Sequence, residues 1–399
     1  MRVFISYFIL QFCTVIGFSQ NTWSQRALLT GPTRLGAVGF SIGTKGYIGT
    51  GYGNPANVVY KDLWEWDQSS NSWTQKASLP GNARGWAVGF SVGTKGYIAT
   101  GADSTYDNDF SDMWEWDQPT NIWTQKVSLS GGDRTIAFAL SVGTKGYIGT
   151  GYDTLNSNYS DFWEWNPSNN SWTQKADFGG GQRQGAACFS IGQYAYVGTG
   201  ADSNGFRQDF WRWDQANNTW QRIADFGGGV RLYAVGFSIS GKGYVGTGWD
   251  YHYNVHRDFW EYDPQADTWT QRANLNSPRV LAIGFSIGSK GYIGTGYNGS
   301  SLKDFWEYTP PPLGIDDGTP SVSYKLFPNP AHSETTLDLS RGLTTAVVEI
   351  FDLNGKLIKS VEFSGEQVKM NCEGMAEGTY TYFVIERSKV LATGKLIIQ

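Results

Sequence analysis

The sequence predicts an all-β chain, and two observations support this fold class. First, a unit of about fifty residues is repeated six times, and the arginines that mark the units lie 50, 50, 49, 48 and 48 residues apart. Second, apolar residues within each unit alternate with the period of two that is typical of strands, and no helical period lies between them. A period near fifty residues is typical of repeat arrays, in which one unit cannot bury its apolar face alone.

The repeated unit has four predicted strands. In the first unit they cover residues 37–42, 47–50, 62–67 and 73–76, separated by Gly-rich or polar turns. Six antiparallel sheets of four strands each predict a six-bladed β-propeller. Glycine in the first strand of a unit is expected where six strands crowd around the axis, and tryptophan where neighbouring blades pack face to face.

The sequence also predicts how the ring closes. The sixth unit breaks off in Thr309-Pro310-Pro311-Pro312, which cannot continue a sheet, so its fourth strand is missing. Residues 21–27 (Asn-Thr-Trp-Ser-Gln-Arg-Ala) match residues 71–77 of the first unit almost position for position. We therefore expect the N-terminal strand to complete the sixth blade, which would leave no free sheet edge.

The repeats resemble those of the kelch family. Runs such as Tyr47-Ile-Gly-Thr-Gly51 stand where kelch units carry a glycine doublet, and a spaced aromatic pair follows, such as Trp66 with Trp73 or Tyr262 with Trp269. One departure is that Gly-x-Gly replaces the usual Gly-Gly. The resemblance covers about residues 21–308 and implies a propeller, but it implies no single activity.

The two ends of the chain predict an exported protein. An apolar stretch from Val3 to Ile16, followed by Gly17-Phe18-Ser19, predicts a signal peptide over residues 1–19. We expect the propeller over residues 20–308, a linker rich in Pro, Gly and Asp over residues 309–321, and a second domain over residues 322–399. Strand-like runs at 336–339, 346–351, 357–363 and 380–386 predict that this second domain is a small antiparallel β-sandwich.

The second domain resembles the type A sorting domain of the Bacteroidetes type IX secretion system. The resemblance rests on residues 326–331 (Leu-Phe-Pro-Asn-Pro-Ala), 348–356, 378–380 and the terminal run 394–399. This resemblance implies that the type IX secretion machinery is a partner, and that the protein is secreted or lies on the outer cell surface. The motif residues are Phe327, Pro328, Asn329, Pro330, Gly355, Gly378 and Tyr380.

Composition argues against a nucleic-acid partner and against a disulfide framework. The net charge is −5, the isoelectric point is about 5.3, and only 17% of residues are charged. Beyond the signal peptide only Cys188 and Cys372 remain, and they lie in different predicted domains. No second segment is long and apolar enough to predict a transmembrane helix, and we expect no cofactor.

One arginine and one aspartate recur in every unit, and we interpret these twelve residues as part of the scaffold. Because six equivalent residues more often do one structural task six times, we expect each arginine to brace an aspartate or the backbone, although some could also contact a ligand. The arginines are Arg34, Arg84, Arg134, Arg183, Arg231 and Arg279, and the aspartates are Asp62, Asp112, Asp161, Asp209, Asp258 and Asp304.

Positions where the repeats disagree are the candidates for a binding site. The loops after each Thr-Gly pair and the loops around each arginine vary, and antiparallel alternation places both sets on one face of the disc. Exposed aromatic residues there would suit a sugar or a protein loop, although each ring could instead pack its own loop. The candidates are Trp86, Tyr233, Trp249, Tyr251, His252, Tyr253, Tyr52 and Tyr152.

Metal sites and catalysis are less well supported. His252 and His256 share one loop, where their spacing of four carries little weight, and Asp103, Asp107 and Asp109 lack a calcium-loop signature. We therefore expect no metal.

The sequence favours a glycan- or protein-binding module; a sugar-modifying enzyme of the kelch mutarotase type and a structural component of a surface matrix remain alternatives.

Overall fold

A computed structural model describes residues 21–53, 58–155, 157–311, 323–352, 357–386 and 389–399. The predicted signal peptide, most of the predicted linker and Gly355 lie outside these residues. The chain divides into two compact units, Met1–Pro310 and Pro311–Gln399.

The first unit consists of short strands and their connecting loops. In chain order these are β1 (Thr22–Gln25), β2 (Val38–Ile42), β3 (Lys45–Gly49), β4 (Leu63–Asp67), β5 (Ser72–Lys76), β6 (Val88–Val92), β7 (Lys95–Ala99), β8 (Met113–Asp117), β9 (Ile122–Lys126), β10 (Phe138–Val142), β11 (Lys145–Gly149), β12 (Phe162–Asn166), β13 (Ser171–Gln174), β14 (Ala187–Ile191), β15 (Tyr194–Gly198), β16 (Ala201–Asp202), β17 (Gly205–Phe206), β18 (Phe210–Asp214), β19 (Thr219–Ile223), β20 (Val235–Ile239), β21 (Lys242–Gly246), β22 (Phe259–Asp263), β23 (Thr268–Arg272), β24 (Ile283–Ile287), β25 (Lys290–Gly294) and β26 (Phe305–Thr309).

Apart from β16 and β17, which pair with each other as a hairpin, these strands form six antiparallel sheets of four strands, which we number as blades 1 to 6. Blades 1, 2 and 3 are β2-β3-β4-β5, β6-β7-β8-β9 and β10-β11-β12-β13; blades 4 and 5 are β14-β15-β18-β19 and β20-β21-β22-β23. The innermost strands contact each other in the order β2, β6, β10, β14, β20, β24 and back to β2, so the ring is closed. This arrangement confirms the six-bladed propeller.

The N-terminal strand completes blade 6, as the sequence predicts. The sheet order is β1-β26-β25-β24, and β1 pairs antiparallel with β26 in the register Thr22 to Thr309 and Gln25 to Trp306. Blade 6 therefore contains strands from both ends of the propeller, which removes the edge that an open ring would expose.

The repeated Asn-x-Trp motif joins each blade to the preceding one. In blade 2 the Asn121 Oδ1 accepts a hydrogen bond of 3.0 Å from the Ala77 backbone N–H, and the Trp123 Nε1 donates one of 2.7 Å to the Ala77 carbonyl. Ala77 follows β5, the outermost strand of blade 1, and blade 2 thus binds both its backbone N–H and its carbonyl. The same clamp recurs around the ring, with Asp267 in place of asparagine in blade 5.

The innermost strands leave no room for a larger side chain at their glycines. A Cβ on Gly284 would lie 2.0 Å from the Val235 Cγ1, and one on Gly39 would lie 2.7 Å from the Ile283 Cβ. Neighbouring inner strands therefore approach closely at the axis, which is the physical reason for glycine at this repeat position.

The second unit is a five-stranded antiparallel sheet. Its strands are β27 (Tyr324–Phe327), β28 (Glu334–Phe351), β29 (Leu357–Asn371), β30 (Gly378–Glu386) and β31 (Lys389–Ile398), in the order β27-β28-β30-β31 with β29 also paired to β28. The runs predicted at 336–339 and 346–351 are two halves of the single strand β28. Its pairing with β29 shifts register between Asp338 and Ala346, and residues of both halves join one buried apolar core. This fits the predicted small sandwich.

Candidate functional site

The variable loops of all six blades meet on one face of the propeller, which we call the loop face. In each blade the residue after the arginine forms a β-bridge with the residue after the Thr-Gly pair, as Leu35 does with Tyr52. The Gly51 N–H donates a 2.8 Å hydrogen bond to the Arg84 carbonyl of the next blade, and the same bond recurs around the ring to Gly296 and Arg34. The loops are therefore built on a rigid, continuous rim.

The arginines are buried in this rim and are paired. Each is at most 1% exposed. In blade 6 the Arg279 Nη1 and Nη2 donate bonds of 2.9 and 2.6 Å to the two carboxylate oxygens of Asp304, and Nη1 also donates one of 3.0 Å to the Thr295 carbonyl. The same bidentate pairs join Arg34 to Asp62 and the equivalent residues of the other four blades.

The contacts of these arginines are of the bracing kind that the repeat predicts. Each guanidinium holds the carbonyl of a threonine whose backbone lies in the left-handed region, with φ of +57° for Thr295. Such a conformation is strained for a β-branched residue, and a buried bidentate ion pair can hold it in place. Because each is at most 1% exposed, the six arginines offer no exposed cation to a ligand.

At the propeller axis, the residues two positions after the arginines form a narrow mouth. Their backbones all have positive φ, and five consecutive hydrogen bonds link them from blade to blade, such as Trp86 N–H to the Gly36 carbonyl at 2.8 Å. The cavity they surround has a volume of about 140 Å³. It is lined by Gly36, Ala37, Trp86, Ala87, Ile136, Ala137, Gly185, Ala186, Tyr233, Ala234, Leu281 and Ala282.

Two of the six mouth positions carry aromatic rings, and each ring lies over a glycine of the preceding blade. A Cβ on Gly36 would lie 2.6 Å from the Trp86 Cδ1, and one on Gly185 would lie 2.9 Å from the Tyr233 Cδ1. Trp86 belongs to blade 2 and Tyr233 to blade 5, which are opposite one another in a ring of six. Two opposite blades therefore depart from the repeat in the same way, each with an aromatic ring at the mouth and a glycine beneath it.

The first aromatic cluster lies beside Trp86. The Trp86 ring stacks on Tyr106 at 5.0 Å between centroids, and Tyr52 contacts both rings at 4.8 and 5.2 Å. Tyr52 is only 1% exposed, and its hydroxyl donates a 2.9 Å bond to the Asp103 carbonyl, so it supports the loops from beneath. Tyr106 is 43% exposed and forms the surface of this cluster.

The second aromatic cluster lies beside Tyr233. Trp249 contacts Tyr233 at 5.9 Å and Tyr253 at 5.5 Å between ring centroids. Phe206, on the β16–β17 hairpin of blade 4, contacts Tyr251 at 5.7 Å and Tyr253 at 6.4 Å. Tyr251 and Tyr253 are 62% and 69% exposed, so most of their ring surface faces solvent.

Aspartates hold the loops that present the exposed tyrosines. Asp250 accepts hydrogen bonds from the His252 and Asn254 backbone N–H groups at 2.8 and 3.1 Å, from the Asn254 Nδ2 at 3.0 Å, and it contacts the His256 Nε2 at 3.0 Å. Burial raises the pKa of Asp250, but these hydrogen bonds outweigh it and hold the pKa well below its usual range. The loop that carries Tyr251 is thereby fixed before any ligand arrives.

An equivalent aspartate fixes the loop of the first cluster. Asp103 accepts bonds from the Thr105 N–H and Oγ1 at 3.0 and 2.9 Å and from the Asn108 Nδ2 at 2.6 Å. Its carboxylate is thus engaged within the loop that contains Tyr106. Across the described ranges, no group of three or more His, Cys, Asp or Glu side chains is arranged to hold a metal ion.

The remaining candidates lie apart from these clusters or add little to them. His252 is exposed at the tip of the Asp250 loop, where its ring lies 6.4 Å from that of Tyr251. Tyr152 is half-buried in blade 3 and bridges Thr135. Burial, with Asp109 and Asp153 nearby, raises the pKa of Tyr152.

The sequence did not indicate Phe206 as part of the site. It follows Asp202-Ser-Asn-Gly205, a turn signal that could have predicted the β16–β17 hairpin. A hairpin places Phe206 in the variable loop of blade 4, but its contact with the loop of blade 5 depends on packing between blades.

Among the described residues of the loop face, Asp109 is the carboxyl group with a strongly raised pKa. Burial raises the pKa of Asp109 to about 6; a backbone hydrogen bond from Thr154 opposes this, and the charges of Asp153, Asp133 and Asp103 add to it. Its Oδ2 is buried without a partner among the described residues. Ionised Asp109 is therefore unfavourable in the folded state.

We expect Asp109→Asn to raise the melting temperature by a few degrees at pH 7.5, and this gain to shrink as the pH falls and to vanish by about pH 3, below the unfolded-state pKa. Because the folded-state pKa lies above the unfolded value, the wild-type protein loses stability as the pH rises from about 4 through 6, and the amide cannot ionise. Thermal unfolding of both proteins across this range measures the effect, with exposed Asp107→Asn as the control. Parallel curves for wild type and Asp109→Asn would contradict this interpretation.

Comparison with known proteins agrees with the division into two units. Residues 325–399 match the family described as a secretion system C-terminal sorting domain. The sorting domain predicted from the sequence is confirmed. The domain marks the protein for export by the type IX system, to the cell surface or the medium, and implies recognition by the secretion machinery.

A solved structure supports the propeller fold. The structure titled "Structure of YjhT" superimposes with a TM-score of 0.60 at 15% sequence identity, covering 70% of this chain and 96% of the other. At this identity the likeness establishes the fold alone, and it fits the kelch-like propeller that the repeats predict. No curated protein matches the chain significantly. In the part of the chain that the structure describes, no helix has the length and apolar character needed to cross a membrane.

The sorting motif residues that the structure describes, which do not include Gly355, lie mostly beside the last strand, β31, of the second unit. Phe327 is exposed at the end of β27, and the Asn329 side chain donates to the Lys395 carbonyl and accepts from the Ile397 N–H, both at 2.8 Å. These two bonds hold the segment that follows β27 against β31. Of the others, Pro328 accepts a 2.7 Å bond from the Thr335 Oγ1, Pro330 precedes buried Ala331, Gly378 begins β30, and Tyr380 donates a 2.8 Å bond to the Ala376 carbonyl.

Proposed function

We propose that the propeller is an extracellular binding module, and that its loop face recognises a glycan or a protein. The observation that carries this proposal is the pair of aromatic clusters beside the axial mouth, built from loops in which the repeats differ. Aromatic rings that are exposed and held by rigid loops offer apolar contact area at little entropic cost. The export domain places such a surface outside the cell.

The competing functions receive less support from the same geometry. A sugar-modifying enzyme would need a carboxylate and an arginine converging on the central pocket, whereas the residues that line the mouth include neither. The arginines nearest to it are buried against aspartates. A purely structural matrix protein would not require exposed aromatic residues concentrated on one face.

The test is a binding screen of the full chain against immobilised glycans and extracellular proteins, repeated with Tyr251→Ser. We expect this variant to lose at least tenfold in affinity for the ligand that wild type selects, and to keep its melting temperature, because Tyr251 is exposed on a loop. Ile122→Ser is the matched control: it removes an apolar side chain that is 60% exposed at the opposite end of blade 2.

Equal binding by wild type and Tyr251→Ser, with a loss in Ile122→Ser, would move the site away from the loop face. A drop in the melting temperature of Tyr251→Ser would instead indicate that its ring packs the loop.

A further inference from the structure

Building on the proposed function, we propose that the ligand is a linear, uncharged oligosaccharide that lies across the propeller axis and contacts the two aromatic clusters as separate subsites. Trp86 and Tyr233 mark the two sides of the mouth, in opposite blades. The Cα atoms of two hydrogen-bonded residues on neighbouring strands lie about 5.5 Å apart, so a ring of six such residues is roughly 11 Å across. A ligand that meets both clusters therefore has to extend over more than one sugar ring.

The size of the mouth favours a ligand that lies on it and does not enter it. Its volume of about 140 Å³ is well below the size of an enclosing pocket for a small molecule, which is roughly 300 to 1,000 Å³. The exposed surfaces are instead at the periphery, on Tyr106 on one side and on Tyr251 and Tyr253 on the other. At the axis the ligand is therefore bound on an open surface, while the larger cavity of the loop face, about 790 Å³, lies to one side against Asp103 and Asp109.

The chemistry of the mouth favours an uncharged ligand. The residues that line it are Gly, Ala, Ile, Leu, Trp and Tyr, with no ionisable side chain other than Tyr233. Burial raises the pKa of Tyr233 to about 12, so its hydroxyl is neutral at physiological pH. A charged group placed over the mouth would lose hydration without gaining a partner.

The arrangement of the aromatic rings favours a thin chain over a folded protein partner. A stable protein interface buries about 800 Å² on each side around a continuous apolar centre. Here the exposed aromatic surface is divided between two small clusters, Tyr106 on one side of the mouth and Tyr251 with Tyr253 on the other. Each exposed tyrosine ring offers a flat face on which the apolar C–H face of a sugar ring can stack.

The same construction occurs on both sides, which supports two subsites of one kind. In each, a glycine of the preceding blade makes room for the mouth ring, and an aspartate caps the loop that presents the exposed tyrosine. Tyr106 and Tyr253 even share a left-handed backbone, with φ of +61° and +60°. Asparagine tolerates this conformation, so both rings can be removed by the same conservative substitution.

The experiment measures binding of the full chain to cellulose, laminarin, mannan and starch, and to their oligosaccharides from the monosaccharide to the hexasaccharide. Wild type is compared with Tyr106→Asn and Tyr253→Asn, and with Tyr297→Ser as the control at an exposed loop position of blade 6 outside both clusters. We expect affinity to rise with chain length and then level off. Each Asn variant should weaken the longest oligosaccharide by about tenfold, and the double variant should leave it no tighter than the monosaccharide.

Other outcomes separate this inference from the proposed function. An affinity that is already maximal for the monosaccharide, or that depends on only one of the two tyrosines, would overturn the two-subsite arrangement while leaving a glycan-binding face. Selective binding of a protein that both Asn variants abolish would overturn the oligosaccharide and leave the binding module. Binding of any ligand that neither variant affects would overturn both.

Discussion

A chain that lacks residues 21–27 is expected to unfold at a temperature lower by roughly 10 °C or more. These residues supply β1, the outermost strand of blade 6, and its four-residue pairing with β26. They also take part in two clamps between blades. The Trp23 Nε1 donates a 2.8 Å bond to the Ala273 carbonyl of blade 5, and the Trp73 Nε1 of blade 1 donates a 2.9 Å bond to the Ala27 carbonyl.

The deletion thus removes the clamps on both sides of blade 6 and exposes the edge of β26, although the inner strand β24 still lies between β20 and β2. Differential scanning calorimetry measures the effect. Gln25→Ala serves as a control within the same strand, because this side chain is exposed and its loss leaves the backbone pairing intact. Trp23→Ala should give an intermediate loss, since its ring also packs against Phe259 and Tyr308. An unchanged melting temperature for the deletion would contradict closure by the N-terminal strand.

Arg279→Met is expected to lower the free energy of unfolding by about 3 kcal/mol, the lower end of the cost of breaking a buried ion pair, because it leaves the partly buried carboxylate of Asp304 without its cation. Arg279 is fully buried, and its loss removes the guanidinium bonds to the Thr295 carbonyl and to both oxygens of Asp304, of which Oδ2 keeps a 2.6 Å bond from the Trp306 Nε1. The matched control is Arg222→Met. Arg222 pairs with Asp225 at 2.8 Å on the surface, where such a pair is worth at most about 1 kcal/mol.

Urea unfolding followed by tryptophan fluorescence distinguishes the two variants. Equal and small effects of Arg279→Met and Arg222→Met would contradict a scaffold role for the buried pairs. Retained stability combined with loss of ligand binding in Arg279→Met would instead place the arginine in the binding site.

The same pairs set the response to acid. Burial raises the pKa of Asp304, but the hydrogen bond and charge of Arg279 outweigh it and hold the pKa below its usual value, as the equivalent arginines do for Asp112, Asp209 and Asp258. A lowered carboxyl pKa gives stability that is present above about pH 4 and is lost as the pH falls through the folded-state value. This dependence should be weaker in Arg279→Met than in wild type.

The fold could be predicted because its determinants recur within each unit. Strand periodicity and the match between residues 21–27 and 71–77 were sufficient for the blades and their closure. The Asn-x-Trp motif was equally visible, but its task was not, because the clamp joins residues of neighbouring blades. In the second unit the sequence predicts separate strands at 336–339 and 346–351, whereas a register shift lets β28 continue through both.

The binding surface was less predictable because it depends on which side chains cover one another. Antiparallel alternation was sufficient to predict one face for the variable loops. It could not indicate that Tyr52 is covered by the loops while Tyr251 and Tyr253 stay exposed, nor that Phe206 joins them from blade 4. Such contacts between blades are set by packing and not by the repeat.

The most direct test of the loop face is a crystal structure of the chain with the ligand that the screen returns. We expect the ligand to lie on the loop face, in contact with Tyr251 or Tyr253 and extending over the mouth toward Tyr106. A ligand bound at the opposite end of the blades, or on their outer strands, would contradict the assignment of the binding site.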